Sequence, residues 1–518
     1  MLVVKVNENQ FDYDIHSLVK AFFPETDVKV LSPEAESELY SDENLPCISI
    51  FFGKTEISVE IKSKSVVKSE KFEVKEVKEV KEVKEVKEVK EVKEADSEKI
   101  FSDKISIEKD YDRPMIKNQL KQVLYKSLTS FTGKRLPWGN LTGIRPTKIP
   151  MLLLEQGKSD DEILKYMKDV YDITDEKGLL SIDIAKREKE LLSTIHYKDG
   201  YSLYIGIPFC PTTCLYCSFT SYPISMWKKR MNDYLTALEK EIEFVADKMK
   251  DKILDSIYVG GGTPTTLEAE ELDRLLKKVS DLFDLSHIKE YTVEAGRADS
   301  ITREKLKVLK KYNITRISVN PQTMKDETLK LIGRHHTVDQ VREAFQIARE
   351  EGFTNINMDI ILGLPGETVE DVTYTMKEIT KLQPDSLTVH SLAIKRASKM
   401  NQWIEENGVT TMNNTEETMK IAEKAAKDMG MEPYYLYRQK NMSGNFENVG
   451  YATKGNYGVY NILIMEEKQT IVALGAGSIT KVVYEDGRIE RTDNVKDVEQ
   501  YITRIDEMLA RKEVLLSV

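Results

Sequence analysis

From Tyr201 onward the chain alternates short β-rich runs with long amphipathic ones, and this alternation constrains the fold more than any other feature. Runs at Leu203–Ile207, Ser256–Val259, Glu290–Glu294, Arg316–Val319, Ile356–Ile361 and Ser386–His390 have strand length and branched or aromatic content. Between them, apolar residues recur at helical spacing near Met226–Lys250, Leu267–Phe283, Arg303–Tyr312, Val338–Glu351 and Val369–Leu382. Repeated βα units build a parallel sheet, so an α/β fold is expected, with a partial (β/α)6 barrel of TIM type over residues 199–430. In such barrels the chemistry collects at the C-terminal ends of the strands.

The segments that follow the strands meet that rule. Strand one is followed by Pro208-Phe209-Cys210-Pro211-Thr212-Thr213-Cys214-Leu215-Tyr216-Cys217, which holds three of the four cysteines. Strand two is followed by Gly260-Gly261-Gly262-Thr263-Pro264-Thr265, where missing Cβ atoms let a ligand approach the backbone. Glu294 ends strand three, Gln322 lies just beyond strand four, Asp359 lies in strand five, and His390 to Ala393 end strand six. A glycine loop alone is a weak signal, but six polar or glycine-rich termini on one rim are a strong one. Three clustered thiolates hold three irons of a [4Fe–4S] cluster, which is usually held by four cysteines, and leave one iron open to a small molecule. Zinc or plain buried thiols are the alternatives. Zinc is poorly supported, since no fourth Cys is near and no His follows until His287.

Cys-x3-Cys-x2-Cys with Tyr216 before the last Cys resembles the signature of the radical S-adenosylmethionine (SAM) enzymes. Tyr204-Ile205-Gly206-Ile207-Pro208-Phe209-Cys210 is similar to the oxygen-independent coproporphyrinogen III oxidase family. The segment Leu136-Pro137-Trp138-Gly139-Asn140-Leu141-Thr142-Gly143-Ile144-Arg145-Pro146-Thr147-Lys148 resembles the HemZ-type coproporphyrinogen dehydrogenases of that family. The resemblance covers roughly residues 200–480. It implies a [4Fe–4S] cluster on Cys210, Cys214 and Cys217. It also implies SAM lined by Tyr204, Tyr216, Gly261, Gly262, Thr263, Glu294, Gln322, Arg334, Asp359, Ala393 and Ile479. Similar enzymes bind two SAM molecules, and the second is expected near Tyr204, Gln322 and Arg334. The implied reaction converts two propionates of coproporphyrinogen III to vinyl groups with loss of carbon dioxide, giving protoporphyrinogen IX, and it needs an electron donor and an acceptor. The same resemblance leaves two alternatives, a haem chaperone and a radical methyltransferase that opens the haem ring.

Outside the barrel the chain reads as four further parts. Residues 1–65 suggest a small α+β unit with a strand Leu2–Val6, a helix Asp14–Phe23 and strands Cys47–Phe52 and Glu56–Ile61. Residues 66–110 read as a linker, since Val-Lys-Glu repeats from Val74 to Glu94 and a period of three winds the valines around a helix without forming an apolar stripe. Residues 111–198 read as a helical extension enclosing the constrained Pro137–Pro146 loop, which is equally expected to be mere packing or to close over the catalytic domain with Arg145 or Lys148 meeting a carboxylate. Residues 431–518 read as an α+β C-terminal region, with strands Tyr434–Tyr437 and Ile471–Leu474, a glycine loop Gly475–Ser478 and a helix Val495–Arg511. Arg396, Arg438 and Lys440 are candidate cations for a tetracarboxylate substrate, against an equal expectation of solvated charges.

Composition excludes some partners. A net charge of −11 argues against nucleic acid and anionic membranes, which call for a basic face. No basic and apolar leader opens the chain, and no run of about 18 apolar residues spans a bilayer. A reducing cytoplasm, a small-molecule substrate and a monomer are the expectations, with Cys47 packing as a small hydrophobe.

Overall fold

A computed structural model describes residues 1–24, 26–31, 45–64, 98–108, 110–219, 221–393, 395, 398–407, 414–439 and 446–517. The Val-Lys-Glu repeat, Arg396 and Lys440 lie outside the described residues. The chain divides into two units, Met1–Thr142 with Asp169–Ile173, and Gly143–Lys168 with Thr174–Val518. Among the described residues no helix is long and apolar enough to cross a membrane.

The first unit is built on a five-stranded sheet in the order Val28–Leu31, Leu2–Val6, Cys47–Phe52, Glu56–Lys64, Glu98–Ser106. Leu2–Val6 runs parallel to both neighbours, and the remaining pairs are antiparallel. Alternation sets the covered face: Ile48, Ile50, Ile57, Val59 and Ile61 are buried, whereas Phe51 is exposed. That face packs with helices Asp12–Phe22 and Arg113–Thr132 through Phe11, Ile15, Phe22, Leu120, Leu124 and Leu128. Full burial of such side chains is worth about 1.5–3 kcal/mol each. Cys47 is half-buried, out of alternation with Ile48.

Two boundaries differ from the sequence reading. The linker expected over 66–110 ends early, because Glu98–Ser106 pairs residue for residue with Glu56–Lys64. Its inward positions, Phe101, Asp103 and Ile105, include a charge that masked the strand pattern. The helical extension expected over 111–198 is shared between the units, since Arg113–Thr132 closes the first core. The Trp138 loop is packing: Trp138 is fully buried. Gly139 has φ +52, and a Cβ there would lie 2.0 Å from the Tyr171 carbonyl oxygen, so no other residue fits.

The second unit carries an eleven-stranded sheet. Seven strands are parallel: Thr470–Leu474, Gly200–Ile207, Ile253–Gly261, Glu290–Gly296, Arg316–Val319, Ile356–Leu362 and Ser386–Ser391, in that spatial order. Antiparallel strands extend both sides, Asn448–Ala452 and Glu432–Tyr437 beyond strand six, and Ile479–Val483 and Ile489–Asp493 beyond Thr470–Leu474. The outermost two do not pair with each other, so the sheet is an open, partial barrel. All six expected strands are present, and the C-terminal region belongs to the same sheet. The expected closing helix is two helices, Val498–Thr503 and Ile505–Leu516.

Alternation along the parallel strands explains the layering. Leu203, Ile205, Ile257, Val259, Ile317, Met358 and Val389 are apolar and buried. Their alternates, Ser202, Tyr204, Ser256, Tyr258, Thr292, Glu294, Ser318, Asn357, Asp359 and Thr388, are polar. Amphipathic helices cover the apolar face, for example Ala269–Leu282 through Leu272, Leu275, Leu276 and Val279. Their starts are fixed by Thr302, Thr337 and Thr368, whose side chains each accept a backbone N–H at the first turn. The polar alternates are left to line the interior.

Candidate active site

The cysteine loop is held from several sides. Phe209–Cys210 pairs with Tyr222–Pro223. Thr212 Oγ1 donates to the Gly333 carbonyl at 2.8 Å, and the Leu215 N–H donates to the Ile332 carbonyl at 3.0 Å. Arg297, paired with Asp299 at 2.7 Å, donates to Thr212 Oγ1 at 2.7 Å. Cys210, Cys214 and Cys217 are all free thiols. Thr263 Oγ1 donates to Cys210 Sγ at 3.5 Å, and Arg297 approaches Cys214 Sγ at 4.0 Å. Burial pushes the Cys210 thiol up to about 11 and raises that of Cys217, so both favour thiolate only opposite a positive centre.

Behind the loop, the glycines of strand two admit backbone. A Cβ on Gly262 would lie 2.5 Å from the Phe209 carbonyl oxygen, and Gly261 has φ +105. The expected room for a ligand at Gly262 is therefore taken by the chain around Phe209. Gly260 instead faces the interior, where a Cβ would meet the Glu294 carboxyl at 3.2 Å.

The interior polar residues form a tier below the loop. Tyr258 donates to Glu294, and its ring stacks on Tyr460 at 4.5 Å and on Tyr204 at 6.3 Å. Burial pushes the Glu294 carboxyl up to about 7, with the Tyr258 hydrogen bond opposing and Asp359 adding. Asp359 goes the other way: burial raises its carboxyl, but His390 together with hydrogen bonds from Asn357 and Thr388 outweighs that and holds it below the usual range. His390 Nε2 lies 3.7 Å from Asp359 Oδ2, and Asn357 Nδ2 donates to Asp359 Oδ1 at 2.7 Å. Tyr437 Oη stands 3.4 Å from His390 Nδ1.

Gln322 is held in an unusual conformation. Its φ is +69, a region costly for a side chain with a Cβ. Its N–H donates to the Asp359 carbonyl and its carbonyl accepts from the Ile361 N–H, both at 2.9 Å. Arg334 donates to Tyr216 Oη at 3.2 Å and to the Asn320 carbonyl. Thr292 Oγ1, Ser318 Oγ, Asn320 Oδ1, Gln322 Oε1 and Arg334 Nε are buried with no hydrogen-bond partner among the described residues. Buried polar atoms are rarely left so, and a polar ligand is a ready explanation.

The floor comes from the C-terminal region. Helix Val459–Glu466 presents its first N–H groups, of Val459 and Tyr460, to the buried Glu290 carboxylate at 2.8 and 3.2 Å. Tyr460 thereby enters the barrel and completes the tyrosine stack.

The structure brings together Tyr204, Tyr216, Gly261, Gly262, Thr263, Glu294, Gln322, Arg334, Asp359 and the three cysteines on the strand ends and their loops. Ala393 follows strand six, half-buried. Ile479 is 53 % exposed and opens the outer hairpin after the Gly475–Ser478 loop. That loop reaches the rim beside strand one, where Gly475 leaves space for the Gly206 carbonyl. Arg438 is buried at 4 % exposure, with burial pushing its guanidinium down to about 10, so it is no solvated charge. Arg145 pairs with the Glu467 carboxylate at 2.7 Å. Tyr258, Tyr460, His390 and Asn320 were not among the expected ligands. Tyr258 shares the face of Gly260 two residues on and was within reach of an alternation argument, whereas Tyr460 carries no local signal.

A family profile described as the Radical SAM superfamily matches residues 204–379. The oxygen-independent coproporphyrinogen-III oxidase-like protein HemZ of Bacillus subtilis is 44% identical over 396 residues, 76% of this chain and 79% of that protein. The chain belongs to the radical SAM superfamily, in its HemZ-like group. Heme chaperone HemW of Bacillus subtilis is 37% identical over 195 residues, 38% of this chain and 51% of that protein. The oxygen-independent coproporphyrinogen III oxidase of Salmonella typhimurium is 32% identical over 192 residues, 37% of this chain and 42% of that protein.

Membership of the radical SAM superfamily implies a [4Fe–4S] cluster and SAM. The residues present fit both. Among the described residues no group of three or more His, Cys, Asp or Glu is set to hold a metal ion. The three thiols are thus not drawn together as a metal cage, and the fit rests on the chemistry of the donor set: three soft thiols on one loop, with Thr263 and Arg297 turned toward two of the sulfurs, as hydrogen bonds tune cluster ligands. The unpartnered atoms around Gln322 and Arg334 suit a ligand that donates and accepts.

Proposed function

We propose that this protein carries out the oxygen-independent oxidative decarboxylation of two propionates of coproporphyrinogen III, giving protoporphyrinogen IX. The observation that carries the reading is the three-thiol loop set over a buried tier with unpartnered polar atoms, in a HemZ-like chain. When bound, the cluster and SAM supply hydrogen-atom abstraction by a 5′-deoxyadenosyl radical, the hard step of such a reaction.

Cys210, Cys214 and Cys217 hold the cluster. Asp359, kept ionised by His390, Asn357 and Thr388, accepts from an amine or a ribose hydroxyl, and Glu294, one oxygen of which accepts from Tyr258, offers its other oxygen to the same ligand. Gln322 and Arg334 present Oε1 and Nε to the same ligand. The tyrosine stack closes the interior from below and excludes water, which a reactive radical requires. A second SAM beside Tyr204, Gln322 and Arg334, an external one-electron donor, an acceptor and a cytoplasmic setting complete the reading.

Anaerobic incubation of the reconstituted protein with SAM, a reductant, an acceptor and coproporphyrinogen III tests it by mass spectrometry. The expected result is loss of two carboxyl groups matched by 5′-deoxyadenosine. A second reading, haem delivery without turnover, draws on the likeness to HemW. Tight haem binding with no porphyrinogen product would select it.

A further inference from the structure

Several cations on the segments that follow the strands have partners among the described residues. Arg297 is paired with Asp299 at 2.7 Å, Lys325 with Asp371 at 2.8 Å and Lys228 with Glu268 at 3.0 Å. Arg334 donates to Tyr216 and Asn320. Lys395, just past strand six, is different: no described residue accepts a hydrogen bond from its ammonium. The side chain is half-buried, and burial lowers its affinity for a proton, with the Cys217 thiol in electrostatic reach. Its Nζ lies 5.4 Å from the centre of the Phe219 ring. That ring, two residues beyond Cys217, is 70 % exposed.

A half-buried ammonium without an anion is costly, and a cation–π contact offsets only about 0.5–2 kcal/mol of that. Among the described residues no anion completes the arrangement, and the exposed ring supplies apolar surface for whatever carries one. Inside, Asp359 and Glu294 repel a further negative group, and Arg334 already donates to Tyr216 and the Asn320 carbonyl and keeps its Nε for SAM. Carboxylates of an entering molecule are therefore directed to the rim.

We propose that Lys395 and Phe219 together receive a carboxylate-bearing edge of the pyrrolic substrate beside the cysteine loop. This assignment rests on the porphyrinogen reading and adds the residues that orient the macrocycle. Lys395 supplies the charge and Phe219 the flat apolar face, so the contact selects a ring that carries acid side chains over an uncharged one.

The test uses the reconstituted protein under nitrogen, titrated with coproporphyrin III and separately with its tetramethyl ester, followed by porphyrin fluorescence. Lys395→Met is expected to weaken binding of the acid about tenfold, the scale of one charge-assisted hydrogen bond. Binding of the ester should not change, Lys395→Arg should restore most of the loss, and Phe219→Ala should weaken both ligands. If Lys395→Met binds the acid as wild type does, or loses acid and ester equally, the assignment falls while the porphyrinogen reading stands. If the wild type binds neither porphyrin, the reading falls and takes the assignment with it.

Discussion

Two buried polar networks of the second unit treat the same kinds of side chain in opposite ways. On the helix side, Glu241 and Lys512 are paired at 2.7 Å with almost no exposure. Glu241 also accepts from the Gly475 N–H at 2.8 Å, Tyr501 at 2.6 Å and Asn494 at 2.7 Å. On the interior side, Thr292, Ser318, Asn320, Gln322 and Arg334 each keep an unanswered atom among the described residues. The first network joins a barrel helix, the rim loop and the last helix into one piece. The second leaves part of its hydrogen bonding for something that is not protein. A complete network marks architecture, and an incomplete one marks a site.

The contrast is broken most directly by removing its anchors. Glu241→Leu strands Lys512 and is expected to cost about 3–5 kcal/mol, read as a fall in the urea midpoint. Glu294→Gln should cost less than about 1 kcal/mol yet weaken SAM binding in equilibrium dialysis. Equal losses of stability in the two variants would erase the distinction. Next in size is Gly262→Ala, whose Cβ would meet the Phe209 carbonyl oxygen at 2.5 Å. A loss of about 1–3 kcal/mol is expected, together with iron released faster to a chelator.

Glu188 sharpens the comparison from a third side. It is fully buried, and neither of its carboxyl oxygens has a partner among the described residues. Burial, with Glu466 adding, holds its carboxyl well above the ordinary value. The folded protein therefore keeps a proton that the unfolded chain releases. Stability is full below the ordinary glutamate range and falls as pH rises toward the folded value, by about 1.4 kcal/mol per unit for a single group. Glu188→Gln should match wild type at pH 4 and exceed it at pH 8, as thermal melts would show. A pH-independent difference would mean that Glu188 is ionised in the fold. The smallest effect is expected at Gln322, where glycine relieves the φ of +69. Gln322→Gly should leave stability unchanged or raise it by up to about 1 kcal/mol while weakening SAM binding.

Much of this was legible before any coordinates. The six barrel strands stood out because an apolar face under helices writes branched residues at every second position, as in Leu203, Ile205 and Ile207. The cysteine loop, Glu294 and Asp359 followed from where those strands end. Two outer strands did not show: the edge strand Ile489–Asp493 is polar, and Asn448–Ala452, one in from the opposite edge, has a glycine at its centre. The strand Thr470–Leu474 was found, but its place beside strand one depends on pairing across most of the chain. Tyr460 was hidden for the same reason, since only tertiary packing carries a C-terminal helix into the barrel.

That packing sets an order of events during synthesis. The cysteines leave the ribosome well before Val459–Glu466, whose Tyr460 forms the floor beneath them, and before Lys512, which ties the last helix to the barrel. A nascent chain therefore displays its thiols while the chamber that will shelter them has no base. Loading of iron and sulfur at that stage would place an oxygen-sensitive group in open solvent. The topology favours assembly of the cluster on the released, folded polypeptide.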